Sequence, residues 1–320
     1  MTDFSRRTML ASAAGVAALG LTGNLAFLPA AHAADVRKKG FYSYKVGDIE
    51  VISIYDGIWN KAHAEGFVIG STIDEVTKTL QSNGHSGENI PIEFAFTVLK
   101  TGNEVIMVDA GIGKGAIPTA GAGAEGLAAA GIKPEDVTKI IITHMHPDHI
   151  FGLYKTGTNE LIYKNAEIIV GEDEFKFWAD PAVIAKLPER RKGLAGRIQS
   201  TLAKWDNVSQ VKADQEVSPG IRSVDTPGHT PGHIGFHLSS GNEQLLLLGD
   251  LIIVPALFLE NLDWQLAFDS DKDIATATRK SVIARAVADN LPIAGHHFGF
   301  PNSGKIEKDG NGYVFKPASI

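Results

Sequence analysis

The chain has no cysteine. Thiolate nucleophiles and thiolate metal ligands are therefore excluded, and the fold needs no disulfide even in an oxidising compartment. Positive charge is also short, with 30 lysines and arginines against 37 aspartates and glutamates, a formal charge of -7 and no long basic run. A nucleic-acid partner, which wants a basic face for its phosphates, is not expected. Long apolar runs are missing as well: the stretch from Leu10 to about Leu21 falls short of the roughly 20 residues of a membrane span. What remains is a chain of 320 residues, 44% hydrophobic, long enough to bury a large core.

Its first 33 residues read as a leader. Ser5-Arg6-Arg7-Thr8-Met9-Leu10 is a twin-arginine pattern; an alanine-rich apolar stretch follows, and Ala31-His32-Ala33 is an A-x-A cleavage site. The expectation is a signal peptide over 1–33, a mature domain over 34–320, and a periplasmic or secreted location. The twin-arginine route exports folded proteins, which suits a metal loaded before export.

Strand signals recur in both halves of the mature segment. Phe41 to Tyr44 and Ile49 to Tyr55 flank a Val46-Gly47-Asp48 turn, and Phe94 to Lys100 and Glu104 to Val108 flank Thr101-Gly102-Asn103. Further strands are predicted at Val137 to Ile142, Ala166 to Val170, Val208 to Val211, Ile221 to Val224, Ile234 to Leu238 and Gln244 to Leu248. Helices are predicted at Ile73 to Gln81, near Leu127 to Ala130, from Glu172 to Ala179, over Ile184 to Lys204, and over Asp271 to Asn290. For the last, Asp271 or Asp273 is the cap, and Ile274, Ala277, Val282, Ala286 and Val287 form the apolar face. Residues 58–90 are weakly patterned, either a flap near a site or a surface loop. Hairpins outnumber strand-helix alternations, which favours two mixed sheets face to face with helices outside. Gly121 to Gly126 matches G-x-G-x-x-G, but no strand leads directly into it, so it lacks the context of a dinucleotide site.

Histidine is where the sequence is rich. Thr143-His144-Met145-His146-Pro147-Asp148-His149 sets three imidazoles and a carboxylate just after an apolar run. Two more turns carry His229, in Thr226-Pro227-Gly228-His229-Thr230-Pro231-Gly232-His233, and the pair His296-His297; His63, His85, His233 and His237 are ambiguous. Asp250 follows four leucines and Gly249, a costly place for a carboxylate unless a cation pairs with it. Taken singly, each has an ordinary structural reading, a hydrogen-bonded core histidine or a proline-glycine turn. Together they are a donor set for zinc and its neighbours.

The order His144-x-His146-x-Asp148-His149, then His229, Asp250 and His297, resembles the metallo-β-lactamase superfamily over essentially the whole mature chain. The resemblance implies an α+β fold, a four-layer αββα sandwich with the site at the edge of its two sheets. It implies two divalent ions, zinc in the first place: His144, His146 and His229 on one, Asp148, His149 and His297 on the other, with Asp250 bridging. His297 is preferred to His296 because His297-Phe298-Gly299-Phe300-Pro301 matches the family's His-x-x-Phe-Pro pattern. Asp109 resembles the family's aspartate that orients a ligand. Two ions sharing a water supply hydroxide near neutral pH; Asp148 or Asp250 then passes a proton to the leaving group.

Without cysteine, the β-lactamase subclasses with a cysteine ligand are excluded. Ile142 to His149, Gly228 to His233, Leu248 to Ile252, Asp269-Ser270-Asp271 and the closing Gly312-Tyr313-x-Phe315-x-Pro317 look like the branch of methyl parathion hydrolase and its lactonase relatives. That branch lines its pocket with aromatics, which Gly113 to Ala120 and Lys192 to Ile198 lack. A lactone or carboxylic ester is therefore the expected small-molecule substrate and a phosphotriester the alternative, with Phe151, Trp178, Phe258 and Phe298 as walls. An iron-dependent oxidoreductase and a noncatalytic metal-binding protein of the same fold are readings from other classes. Relatives often form homodimers, to which residues 58–90 are a candidate contributor.

Overall fold

A computed structural model describes residues 36–318 apart from 159 and 188. The expected leader lies outside the described residues. Two seven-stranded sheets are built almost entirely in chain order. The first comprises β1 (Phe41–Val46), β2 (Ile49–Ala62), β3 (Asn89–Thr101), β4 (Glu104–Val108), β5 (Lys139–Ile142), β6 (Glu167–Gly171) and β7 (Val208–Val211). Its first four strands are antiparallel neighbours, and β4 to β7 run parallel. The second comprises β8 (Glu216–Ser218), β9 (Ile221–Asp225), β10 (Ile234–Ser240), β11 (Glu243–Leu247), β12 (Ile293–Ala294), β13 (Ser303–Asp309) and β14 (Gly312–Pro317). Only its β11–β12 pair is parallel. A small ribbon joins Val68–Ile69 to Gln265–Leu266.

Strand alternation divides the core into three layers. Val51, Leu99, Ile106, Ile141 and Ile169 face Phe236, Leu238, Leu245 and Leu247 between the sheets. Their neighbours Ile52, Val98, Met107, Ile140 and Ile168 turn outward to meet helices α2 (Gly123–Ala129), α4 (Glu172–Ala179) and α6 (Glu189–Leu202). On the far side, Leu246, Leu248 and Ile293 meet α1 (Ile73–Ser82), α7 (Pro255–Phe258) and α8 (Lys272–Ala288). A one-turn helix α3 (Pro147–Ile150) and a short α5 (Pro181–Lys186) complete the set. The expected sandwich of helices around two sheets is thus the observed fold.

Several boundaries moved for local reasons. α1 starts where a Thr72/Glu75 capping box satisfies its first amides. β2 runs on to Ala62, past a register shift between Tyr55 and Gly57 that breaks the alternation and hid the far half of the strand. The helical segment predicted over Ile184 to Lys204 is two helices, α5 and α6. Asp271 caps α8 through Ile274 N–H, as expected, but the predicted apolar face is right only in part: Ala286 is buried and Val282 and Val287 pack against the core. Ile274 and Ala277 are exposed, and the buried face is Ala275, Arg279, Ile283 and Ala286. Arg279 accounts for the error: its guanidinium is buried because it donates to Leu251 O and Trp264 O and lies 3.6 Å from Asp269.

Candidate metal centre

The predicted donors all sit just past the C-terminal ends of strands, where the edges of both sheets meet. β5 delivers His144, His146, Asp148 and His149; β9 delivers His229; β11 delivers Asp250; β12 delivers His297. Thr143, at the end of β5, donates through its backbone N–H and its hydroxyl to the two oxygens of Asp109, at 2.8 and 2.9 Å. Pro147 then opens α3, which presents Asp148 and His149 on one short turn. Gly249 adopts a left-handed φ of 51°, and a Cβ there would meet His233 Nε2 at 2.7 Å, so only glycine lets Asp250 approach.

Two clusters result. In the first, His146 Nδ1 lies 3.0 Å from His144 Nε2 and 2.9 Å from His229 Nε2. In the second, His297 Nε2 lies 3.2 Å from Asp148 Oδ2, and His149 Nε2 lies 3.7 Å from the same oxygen. Asp250 stands between them, Oδ2 at 3.3 Å from His229 Nε2 and Oδ1 at 3.0 Å from His149 Nε2 and 3.2 Å from His297 Nε2. The other ring nitrogens are tied outside. His229 Nδ1 donates to Asp269 at 2.8 Å, His149 Nδ1 to Asp109 at 2.8 Å, and His297 Nδ1 to Glu93 O at 2.7 Å. Each of these bonds fixes a tautomer whose Nε2 lone pair points inward.

The residues fit metal ions on their own geometry. His149 Nε2 and Asp250 Oδ1 are buried and lack a hydrogen-bond partner, although they lie 3.0 Å apart. Buried groups left in that state are costly, and a cation shared between them removes the cost. The donors are imidazole nitrogen and carboxylate oxygen throughout, a set for zinc and similar divalent ions. His296 also places a ring nitrogen near Asp148, His149 and His297, and its ring tilts against His149 at 4.0 Å. Only His297 of the pair faces the Asp148 and Asp250 carboxylates.

The protein's own charges treat the clusters differently. Burial pulls His144 well below the usual imidazole range and His146 down to about 3, so these two rings are held neutral. Burial also opposes charge on His149 and His297, but Asp250, Asp109 and Asp148 outweigh it at His149, and Asp250 and Asp148 lift His297 to about 9. Burial raises Asp148 and Asp250 in turn, yet His149 and His297 overcome it and leave both carboxyls low.

A cavity of about 600 Å³ opens above the donors, with His146, Asp148, His229, Asp250 and His297 on its floor. Of the four aromatics predicted as walls, only Trp178 is one. Phe151 is buried in the outer core under the Arg197 guanidinium, 3.8 Å from its ring centre. Phe258 lies under Arg279, and Phe298 packs edge-on against Phe315 at 5.0 Å, both in the core around α8. The walls come instead from Trp59, Phe67 and Phe268, from Ile117, and from Leu194 and Arg191 on α6. Phe268 meets Phe67 edge-on at 5.1 Å and stacks with Trp59 at 6.4 Å. Residues 58–90 thus reach the site as wall residues at the end of β2 and the turn after it, and the aromatics missing from Gly113 to Ala120 and Lys192 to Ile198 are supplied from elsewhere.

Other residues were missed or left ambiguous. His233 is no donor to either cluster: its Nδ1 donates to Thr226 O and its Nε2 accepts the Asp250 backbone N–H, at 2.9 and 3.0 Å. Asp269, which the sequence marks only as part of Asp269-Ser270-Asp271, accepts from His229 Nδ1. Glu174 is fully buried in the first turn of α4, where burial raises its pKa against the pull of Thr230, Met145, Trp178 and Gly232. An acidic residue in a helix's first turn is too common to have marked it.

The chain belongs to the metallo-beta-lactamase superfamily, whose family model matches residues 95–297. It is similar to an N-acyl homoserine lactonase of Bacillus cereus, 29% identical over 151 residues, which are 47% of this chain and 51% of that protein. The chain therefore spans about half the length of the curated relatives it matches. Among solved structures it is similar to AidC, described as a dizinc quorum-quenching lactonase in complex with a product, with 28% identity, a TM-score of 0.82, and coverage of 88% of this chain and 98% of that one. The hydrolase AbOPH of the beta lactamase superfamily is similar over the same shares, with 25% identity and a TM-score of 0.79.

Proposed function

We propose that this protein is a dinuclear metal-dependent hydrolase that opens lactones, with simple carboxylic esters as secondary substrates. The observation that carries this is Asp250, whose carboxylate lies between two histidine clusters, Oδ2 3.3 Å from His229 Nε2 and Oδ1 3.0 Å from His149 Nε2, on the floor of an apolar cavity. Similarity to lactonases supports the substrate class. Two divalent ions, zinc by the nature of the donors, would supply Lewis acidity at the carbonyl oxygen and acidify a water. The chain's own residues do the rest. His144, His146 and His229 would hold one ion, Asp148, His149 and His297 the other, and Asp250 both. The cavity is large enough for a drug-sized ligand, and its apolar walls take the acyl part. Asp148 is the more open carboxylate of the set, its side chain 17% exposed, and would take a proton from the water and return it to the leaving alkoxide. Export through the leader and a homodimer in solution also belong to this proposal; the mature N-terminus at Ala34 and light scattering test them.

The deciding experiment measures metal content and turnover of the full chain on N-acyl homoserine lactones, aryl esters and a phosphotriester. Two ions per chain and lactone turnover, with KM falling as the acyl chain lengthens, are expected. Asp148→Asn, assayed with enough added metal to fill both sites, should lose roughly 10²- to 10⁴-fold in kcat. Turnover of the phosphotriester alone, or of nothing with both ions bound, overturns the lactonase reading.

A further inference from the structure

The two halves of the first cluster come from different sheets: His144 and His146 follow β5, His229 follows β9. No hydrogen bond joins the backbones of residues 144–146 to those of residues 228–232 among the described residues. Beyond the bond from Ile234 N–H to Thr143 O at 3.0 Å, which flanks both turns, they meet on one carboxylate. Glu174 Oε1 accepts the backbone N–H of Met145 at 2.9 Å and the indole N–H of Trp178 at 2.7 Å. Oε2 accepts the hydroxyl of Thr230 at 2.6 Å and the backbone N–H of Gly232 at 3.2 Å. Met145 separates His144 from His146, and Thr230 directly follows His229. The approach leaves no slack: a Cβ on Gly232 would lie 2.0 Å from the Glu174 nitrogen. All four contacts are donors, so both oxygens are fully used as acceptors, the condition under which a buried carboxylate is tolerated.

We propose that Glu174 is a positioning residue that sets the distance between His229 and the His144/His146 pair, and so the metal affinity of the first cluster. This rests on the dinuclear reading above. The same carboxylate fixes Trp178, a wall of the cavity, so ion affinity and substrate fit share one anchor.

Glu174→Gln tests the idea with little change in shape. An amide has donors on one side only, and Thr230 can turn its hydroxyl to accept where Gly232 and Met145 cannot. The Gln amide should therefore face Thr230 and strand the Gly232 N–H, loosening the turn that carries His229. Cobalt(II) titration of the full chain, followed by its visible absorption bands, reads the sites separately from activity. Wild type should take up two ions per chain. In Glu174→Gln, one site should weaken by roughly 10- to 100-fold with altered bands, while the other keeps its affinity. Thr230→Val, which keeps the carboxylate and removes one donor, should weaken the same site by less, and covers the case in which Glu174→Gln does not fold. Glu172→Gln, on the same helix turn but paired outward with Lys176, should change neither. Equal weakening of both sites, no weakening in either variant, or the same effect from Glu172→Gln overturns the role of Glu174. A wild type that binds no cobalt overturns the dinuclear reading as well.

Discussion

His297 and His146 show how far one imidazole differs from another in the same site. His297 faces the Asp148 and Asp250 carboxylates at 3.2 Å and is lifted to about 9, whereas burial takes His146 down to about 3. A metal ion accepts only the deprotonated ring, so the two clusters pay differently for their ions. At pH 7.5 the metal-free second cluster holds protons on His297 and His149 that must leave when an ion enters. The first cluster, with His144 and His146 already neutral, has none to give from those rings. Zinc uptake followed in weakly buffered solution should therefore release protons mainly with the ion that occupies the second cluster. The affinity of that cluster should therefore fall as pH drops below about 9. Uptake of both ions with no proton release would contradict the charge pattern.

At the level of elements, Gly121 to Gly126 lacks the strand context of a dinucleotide site, and the structure gives the physical reason for the glycines of the whole segment 111–126. The buried carboxylate of Asp56 takes the place an anion would fill, accepting Ile112 N–H and Gly123 N–H, each at 2.7 Å. A Cβ on Gly111 would lie 2.6 Å from that carboxylate, and one on Gly121 would lie 2.4 Å from Gly113 O. The segment carries Ile112 and Ile117 into the cavity wall, so Asp56 holds part of the pocket. Strand alternation made β1 to β6 legible, and ligand spacing made the donors legible. Asp56 was not, because its partners lie more than fifty residues ahead and a register shift hides its strand. Burial pushes Asp56 from 3.8 up to about 7, against the pull of Ile112 and Gly123. The folded chain thus keeps a proton there that the unfolded chain releases, and this group's contribution to stability declines as pH rises from about 4 to about 7. Asp56→Asn should be less stable than wild type, by about 1–3 kcal/mol for the N–H it leaves unpaired, with no such pH term. Denaturant unfolding of both metal-free proteins should show the wild-type advantage shrinking over that range; a gap that is constant or widens with pH refutes the assignment.

The whole molecule is organised so that neither sheet owns the site. β4 and β5 of the first sheet bring Asp109 and the His144 to His149 turn, while β9, β11 and β12 of the second bring His229, Asp250 and His297. That arrangement follows from the strand pattern, which was readable. The cavity was not, since Trp59, Phe67, Leu194 and Phe268 become neighbours only after the sheets have closed. A site whose donors belong to both sheets exists only in the folded chain, and ions bound there stabilise folding by RT ln(1 + [L]/Kd). At a hundredfold excess over Kd this is about 2.7 kcal/mol per site, which for a domain of this size is roughly 5 °C in Tm. Thermal unfolding should therefore shift upward with added zinc and back down with chelator, following metal concentration rather than ionic strength. Asp250→Asn, which weakens the one group shared by both clusters, should lose more than half of that shift, while Asp148→Asn, whose carboxylate serves one cluster, should lose less. A melting temperature indifferent to zinc and chelator would mean that the donors do not join the two sheets through bound ions.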